Sequence, residues 1–88
     1  MDEKMQKVLE EKIHESTSRI NEITSLVNSL GKAKNPDVFG HGIIIGRLYN
    51  SFYYQSRRIL KRNPTGQEFS EFIELVRDHE NELKIIFG

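Results

Sequence analysis

Three histidines are the side chains of this chain best suited to bind a metal or to transfer a proton near neutral pH. They are His14, His41 and His79, and Glu11 stands three residues before the first of them. Glu-x-x-His is the spacing used by carboxylate-bridged di-iron bundles, but such a site needs two of these motifs and two further inward-facing glutamates. The sequence contains one such motif, and neither of its residues falls on the apolar face of the first predicted helix. We therefore predict no metal site and no cofactor.

The segment GHGIIIG, residues 40–46, has glycines that suggest a phosphate-binding loop. Such loops follow a strand and open a helix, and the dinucleotide-binding fingerprint is G-x-G-x-x-G. Here a polar turn precedes the glycines, their order is G-x-G-x-x-x-G, and no Lys-Ser or Lys-Thr follows. Gly42 and Gly46 would instead share one edge of a helix. We interpret them as a seam for close packing against the first helix or a second subunit, and Gly40, on the opposite side, as a kink or irregular first turn.

Basic side chains and a tyrosine mark the outer face of the second predicted helix. Arginine and lysine side chains can bind phosphates, and a neighbouring aromatic ring can stack on a nucleobase. The candidate residues are Arg47, Tyr54, Arg57, Arg58, Lys61 and Arg62. A solvated face, partly neutralised by the acidic third helix, is the interpretation that we favour, because exposed charges contribute little by themselves. An acidic protein partner would use the same surface.

Three predicted helices position these residues, and the first covers about 2–30. Its inward-facing residues are spaced alternately by four and three, as in a coiled coil, and they are Leu9, Ile13, Ser16, Ile20, Ile23, Val27 and Leu30. Gly31 follows, where a helix-terminating glycine belongs.

The second helix is predicted for about 36–62 and the third for about 66–87. Asn35 fits the N-cap and Pro36 the first position of the second helix, while Thr65 and Glu68 form a capping box before the third. A wide apolar arc makes the second helix the central element, with the inward positions Val38, His41, Ile45, Leu48, Phe52, Gln55 and Ile59. The inward positions of the third helix are Phe69, Phe72, Ile73, Val76, His79, Leu83 and Ile86.

Three of these inward positions are polar, one on each helix. They are Ser16, Gln55 and His79. We predict a polar core layer that fixes the register of the helices. A binding or proton-transfer site is the alternative.

Composition limits the class of protein. The chain has 88 residues, no Cys and a net charge of zero, so we expect one domain, 1–88, without disulfides or thiolate zinc sites. The absence of Cys is compatible with the cytoplasm, where we expect the protein. No apolar run exceeds three residues and the N-terminus is charged, so we expect neither a membrane span nor a signal peptide.

The predicted fold is all-α, an elongated antiparallel three-helix bundle. The first helix is longer than the third can cover, which leaves apolar length at Leu26, Val27 and Leu30 and an aromatic edge at Tyr49 and Tyr53. We therefore expect a homo-oligomer, with a dimer favoured.

The helical seams and turns are well specified, whereas no catalytic constellation is present: there is no Cys nucleophile and no G-x-S-x-G elbow. We predict a non-enzymatic helical interaction or assembly module. The first alternative is a nucleic-acid-associated protein that uses the basic face. The second is a small dimeric enzyme with a site between subunits, around Arg19, Gln55 and His79.

Overall fold

The computed structural model describes residues 1–30 and 35–83. The chain is all-helical within those residues, as predicted, and it contains α1 (Glu3–Ser18), α2 (Ile20–Leu30), α3 (Pro36–Gln55), a π-helical turn (Ser56–Leu60), α4 (Gly66–Asp78) and α5 (Glu80–Leu83). The described residues extend over 39 × 22 × 22 Å. Two predictions, the helix end at Gly31 and the last part of the third helix with Ile86, lie outside the described residues.

Side chains cap three of the helices at their N-termini. Asp2 accepts a hydrogen bond from the backbone N–H of Met5 at 3.1 Å. Asn35 accepts one from Val38 at 3.2 Å and is followed by Pro36, so this predicted start is confirmed. The predicted capping box is confirmed in the turn before α4. These bonds satisfy backbone donors that have no partner within the helix.

The single helix predicted for 2–30 is interrupted at Arg19, whose φ and ψ are −100° and 18°. The three residues before it carry hydroxyls that donate back to carbonyls one turn earlier. Ser16 bonds Lys12 O at 3.0 Å, and Thr17 and Ser18 each make such a bond at 2.7 Å. Hydroxyls that bond the backbone in this way bend helices, so α1 and α2 meet at a break of one residue.

The second predicted helix also ends differently. It was expected to run to Arg62, but it passes into the π-helical turn and stops at Leu60. The backbone N–H of Ser56 is shared between the carbonyls of Phe52 and Tyr53. Lys61 then adopts φ 61° and ψ 28°, the left-handed conformation that terminates helices. Pro64 lies shortly beyond, and a proline cannot continue the hydrogen-bond ladder.

Lys61→Gly should stabilise the protein by about 0.5–1 kcal/mol, because a side chain is disfavoured at positive φ and glycine is not. Lys61 is the only described non-glycine residue with positive φ. Urea denaturation followed by circular dichroism measures the change. Lys61→Ala is the matched control, since it removes the same charge but keeps a Cβ. Equal stabilities of the two variants would show that φ is not the cause.

The core is built from apolar residues of all five helices. Phe52 of α3, with no exposed surface, stacks on Phe72 of α4 with ring centroids 4.6 Å apart. The other buried apolar side chains are Met5, Leu9, Ile13, Ile23, Val27, Ile44, Leu48, Leu75 and Leu83. Most of the predicted seam of the first helix is therefore buried, although Leu30 is exposed.

The inward faces of α3 and α4 are rotated from the predicted ones. Ile44 and Gly40 are buried on α3, whereas Val38 is 67% exposed. On α4, Leu75 is buried and Ile73 is 41% exposed. The apolar residues of both helices cover more than one face, so the sequence pattern allowed several rotations. Leu48, Phe52 and Phe72 are inward in the predicted and in the observed faces alike.

Candidate functional site

The six residues of the predicted basic face do not share one surface. Arg47 points toward α1, where its Nη2 lies 3.6 Å from Oε1 of Glu15. Its Nη1 is buried and has no hydrogen-bond partner among the described residues. Arg47 is thus removed from the outer face by a carboxylate that sequence analysis did not place beside it.

Arg62 is neutralised locally. Its Nη1 and Nη2 donate to the two carboxylate oxygens of Glu68 at 2.7 and 3.1 Å. This hydrogen bonding, followed by the backbone N–H of Thr65, lowers the pKa of Glu68 to about 2. The guanidinium is therefore held against the start of α4 rather than presented to a polyanion.

Three basic residues of the predicted face remain after Arg47 and Arg62 are set aside. We call them the basic turn, and they are Arg57, Arg58 and Lys61. All three are exposed and none forms an ion pair with a described carboxylate. Arg57 lies over the ring of Tyr53 at 5.9 Å, and Nε of Arg58 donates to Gln55 at 2.8 Å. Tyr54, 56% exposed, stands one turn before Arg57 and Arg58. The basic turn with Tyr54 is what the structure leaves of the predicted basic face.

The three polar inward residues are satisfied separately. Ser16 and Gln55 are buried, as predicted, and they bond Lys12 O and Arg58. His79 is only half-buried, and its Nδ1 donates to Leu75 O at 2.9 Å. No hydrogen bond joins the three residues to one another within the described chain. The three side chains therefore do not form a connected polar layer. Each one bonds a group three or four residues away along the chain, which lies closer than a polar group on a neighbouring helix.

His14 lies off the apolar face of the first helix, as the sequence indicates. It is exposed, but its Nδ1 contacts a carboxylate oxygen of Glu82 on α5. The rings of His14 and His79 meet edge to face with centroids 6.1 Å apart. Within residues 1–30 and 35–83, no group of three or more histidine and acidic side chains is placed to hold a metal ion.

Gly42 and Gly46 lie on an open surface. A Cβ added at either glycine would meet no atom of a described neighbour within 4 Å, so the described part of the first helix does not make the predicted close approach at these positions. The reason is the rotation of α3, which turns Gly40 and Ile44 inward instead. Close packing against a second subunit is not tested by these contacts and stays a prediction.

Exposed aromatic and aliphatic side chains continue the glycine edge across to α4. Tyr49 is 47% exposed, and its ring lies 5.3 Å from that of Tyr53 and 6.4 Å from that of Phe69. Phe69 and Ile73, one turn apart on α4, are each 41% exposed although both were predicted to face inward. We call this surface the apolar strip: Gly42, Gly46, Tyr49, Tyr53, Phe69 and Ile73.

No hydrogen bond or ion pair among the described residues joins Arg19, Gln55 and His79, the enzyme site proposed from the sequence. Arg19 bonds Glu15 and Glu22 at the break between α1 and α2, while Gln55 and His79 bond within their own segments. These separate partners give no support to a shared catalytic site in the described part of one chain.

Comparisons with known proteins identify no relative. No family model matches the sequence, and neither a curated protein nor a solved structure shows significant similarity. None of the described helices is long and apolar enough to cross a membrane. The described part of the chain is all-helical, and this is the class that the structure defines.

Proposed function

We propose that this chain is a non-enzymatic helical interaction module that associates with a second copy of itself through the apolar strip. Its helices would form an elongated antiparallel three-helix bundle, and the strip would provide the dimer interface. The observation that carries the proposal is the pair of open glycines, Gly42 and Gly46, beside the exposed rings of Tyr49 and Phe69.

Glycine inside a helix is unfavourable by about 0.5–1 kcal/mol relative to alanine. Inside one chain nothing compensates for the two glycines, since no described neighbour comes close enough to require them. A second helix that approaches the backbone at this edge would compensate for them. It would also cover the exposed surface of Tyr49, Phe69 and Ile73, which is apolar surface of the kind that stabilises protein interfaces.

The test combines Gly42→Ala and Gly46→Ala in one variant. The monomer should become more stable by about 1–2 kcal/mol, because each alanine favours the helix and meets no neighbour. Self-association should weaken by about tenfold or more, because two methyl groups would hold the second helix away. Sedimentation equilibrium measures the association, and urea denaturation at low concentration measures the stability.

Ser25→Ala is the matched control. Ser25 is exposed on α2, a helix that carries no residue of the apolar strip, so alanine there favours the helix without touching the interface. A wild-type chain that stays monomeric at high micromolar concentration would overturn the proposal. So would a glycine variant that associates as tightly as the wild type.

A nucleic-acid-associated function is the second candidate, favoured by the three unpaired cations of the basic turn beside exposed Tyr54. An acidic protein partner would use the same surface. Light scattering with mixed short DNA and RNA at two salt concentrations separates the candidates, since binding to phosphates weakens steeply with salt. A mass shift that disappears at high salt would make the basic turn the functional site. A salt-independent dimer that ignores nucleic acid would support the first proposal.

A small dimeric enzyme with a site between subunits is the third candidate function. It ranks last because Arg19, Gln55 and His79 have separate hydrogen-bond partners. A cytoplasmic location stays a proposal that rests on the absence of Cys.

A further inference from the structure

A groove between α2 and α3 places two arginines beside aliphatic side chains. Its volume is about 170 Å³, and it is lined by Arg19, Glu22, Ile23, Leu26, Ile43 and Arg47. The break between α1 and α2 falls at Arg19, so this residue can turn into the groove while its neighbours remain helical. Arg47 enters the groove from α3. Cationic and apolar surfaces therefore adjoin in one small concavity.

Glu15 is shared by three cations at the end of this groove. Its Oε1 accepts from Nε of Arg19 at 3.1 Å and lies 3.6 Å from Arg47, while its Oε2 lies 3.2 Å from Nζ of Lys12. Glu22 pairs with Arg19 at 3.2 Å. Hydrogen bonding from Lys12 and then its charge lower the pKa of Glu15, so this carboxylate is ionised near neutral pH. Three cations thus face two carboxylates, which leaves one positive charge uncompensated.

Arg47 is the cation with unused hydrogen-bonding capacity. Its Nη1 is buried and finds no acceptor among the described residues, and its contact with Glu15 is too long for a good hydrogen bond. A buried donor without an acceptor is unfavourable, and a guanidinium presents parallel N–H groups that suit a carboxylate. An anionic oxygen in the groove would offset the excess charge and pair with the exposed part of the Arg47 side chain, which is 37% exposed.

The aliphatic walls of the groove favour an anion that carries an apolar chain. Ile23 and Ile43 are buried or half-buried, and Leu26 is 49% exposed at the rim. A bare phosphate would satisfy Arg47 but would leave these aliphatic surfaces in water. An aliphatic chain on the anion would cover them, at roughly 25 cal/mol for each Å² of apolar surface removed from water.

We propose that this groove binds a small monocarboxylate with an aliphatic chain of about three to five carbons. The carboxylate pairs with Arg47, with Arg19 beside it, and the chain lies on Ile23, Leu26 and Ile43. The groove involves a different edge of α3 from the glycines of the apolar strip, so this site does not depend on self-association.

Titration of the isotope-labelled full chain with sodium pentanoate, followed by amide NMR shifts, tests the site. We expect saturable shifts at Leu26, Ile43 and Arg47, with a dissociation constant on the order of 1 mM for a ligand of this size. Arg47→Met should weaken binding by about tenfold or more, because it removes a charged hydrogen bond. Arg57→Met is the matched control and should leave binding unchanged, since Arg57 lies on the basic turn.

Acetate and inorganic phosphate are the comparison probes. Both should bind several-fold more weakly than pentanoate if the apolar walls contribute, and equal binding would overturn the proposal. Shifts that do not saturate, or that persist in Arg47→Met, would also overturn it. Leu26→Ser provides a second variant if Arg47→Met does not fold, because Leu26 is half-exposed and its replacement should weaken pentanoate binding without affecting acetate.

Discussion

Phe52→Ala is expected to cause a large loss in the free energy of unfolding of this chain. Phe52 has no exposed surface, and its ring stacks on Phe72 at 4.6 Å with an interplanar angle of 11°. Truncation of a buried phenylalanine lowers stability by about 3–5 kcal/mol. A domain of this length has a total stability of about 4–13 kcal/mol, so the loss amounts to about a quarter of that stability or more. Urea denaturation followed by circular dichroism measures the loss.

Tyr54→Ala is the control for this prediction. Tyr54 lies on the same helix two residues later and is 56% exposed, so its truncation should change stability by less than about 0.5 kcal/mol. Similar losses for both variants would contradict the placement of Phe52 in the core. The aromatic stack itself is measured by a double-mutant cycle of Phe52→Leu and Phe72→Leu, with an expected coupling of about 0.5–1.5 kcal/mol.

The same aromatic cluster extends from the core to the surface that we propose as the dimer interface. Phe52 and Phe72 are buried, whereas Phe69, 6.4 Å from Phe52 and 6.5 Å from Phe72, is 41% exposed and contacts Tyr49. If a second chain covers the apolar strip, the exposed half of this cluster becomes buried as well. Association would then raise the apparent stability by mass action, and the midpoint of unfolding would rise with protein concentration.

Local signals in the sequence predicted where two of the helices begin. Asn35 before Pro36, and Thr65 three residues before Glu68, bind the first backbone donors of their helices as expected. Such caps need only residues within one turn, so no knowledge of the fold is required. The seam of the first helix was also largely predicted, because its spacing of four and three allows a single apolar face.

The rotation of α3 and α4 and the partners of the charged residues could not be predicted in this way. Ile43, Ile44 and Ile45 are consecutive, so composition alone does not decide which one faces the core, and the structure buries Ile44. Arg47 and Arg62 look equivalent in sequence, yet Glu15 lies beside one and Glu68 binds the other. The first carboxylate is 32 residues away along the chain, and only tertiary packing brings it there.

The candidate surfaces were also predicted only in part, since some of their residues depend on tertiary packing. The basic turn keeps Arg57, Arg58 and Lys61 from the predicted basic face because no described carboxylate reaches them. The groove at Arg19 and Arg47 was not predicted, since it depends on a helix break that arises from three successive hydroxyl residues. That run of Ser16, Thr17 and Ser18 was the available signal, and its effect on the backbone was missed.

The second large effect is expected in acid. Glu68 has a pKa of about 2, lowered first by hydrogen bonding from Arg62 and then by the backbone N–H of Thr65. Because its folded pKa lies below the unfolded value of 4.5, this group stabilises the fold fully above about pH 4.5, and the contribution is lost as the pH falls toward 2. Water screens the half-exposed Arg62, so we expect a contribution of about 1–2 kcal/mol.

Glu68→Gln isolates this effect, since glutamine can still complete the capping box while it lacks the charge. The variant should be less stable than the wild type at pH 7, and the difference should disappear as the pH approaches 2. Urea denaturation at a series of pH values gives the two curves. Glu74→Gln on the same helix is the control, because Glu74 is exposed and pairs with no described cation. A wild-type chain that keeps its full advantage over Glu68→Gln at pH 2 would show that the ion pair with Arg62 is not the source of the stability.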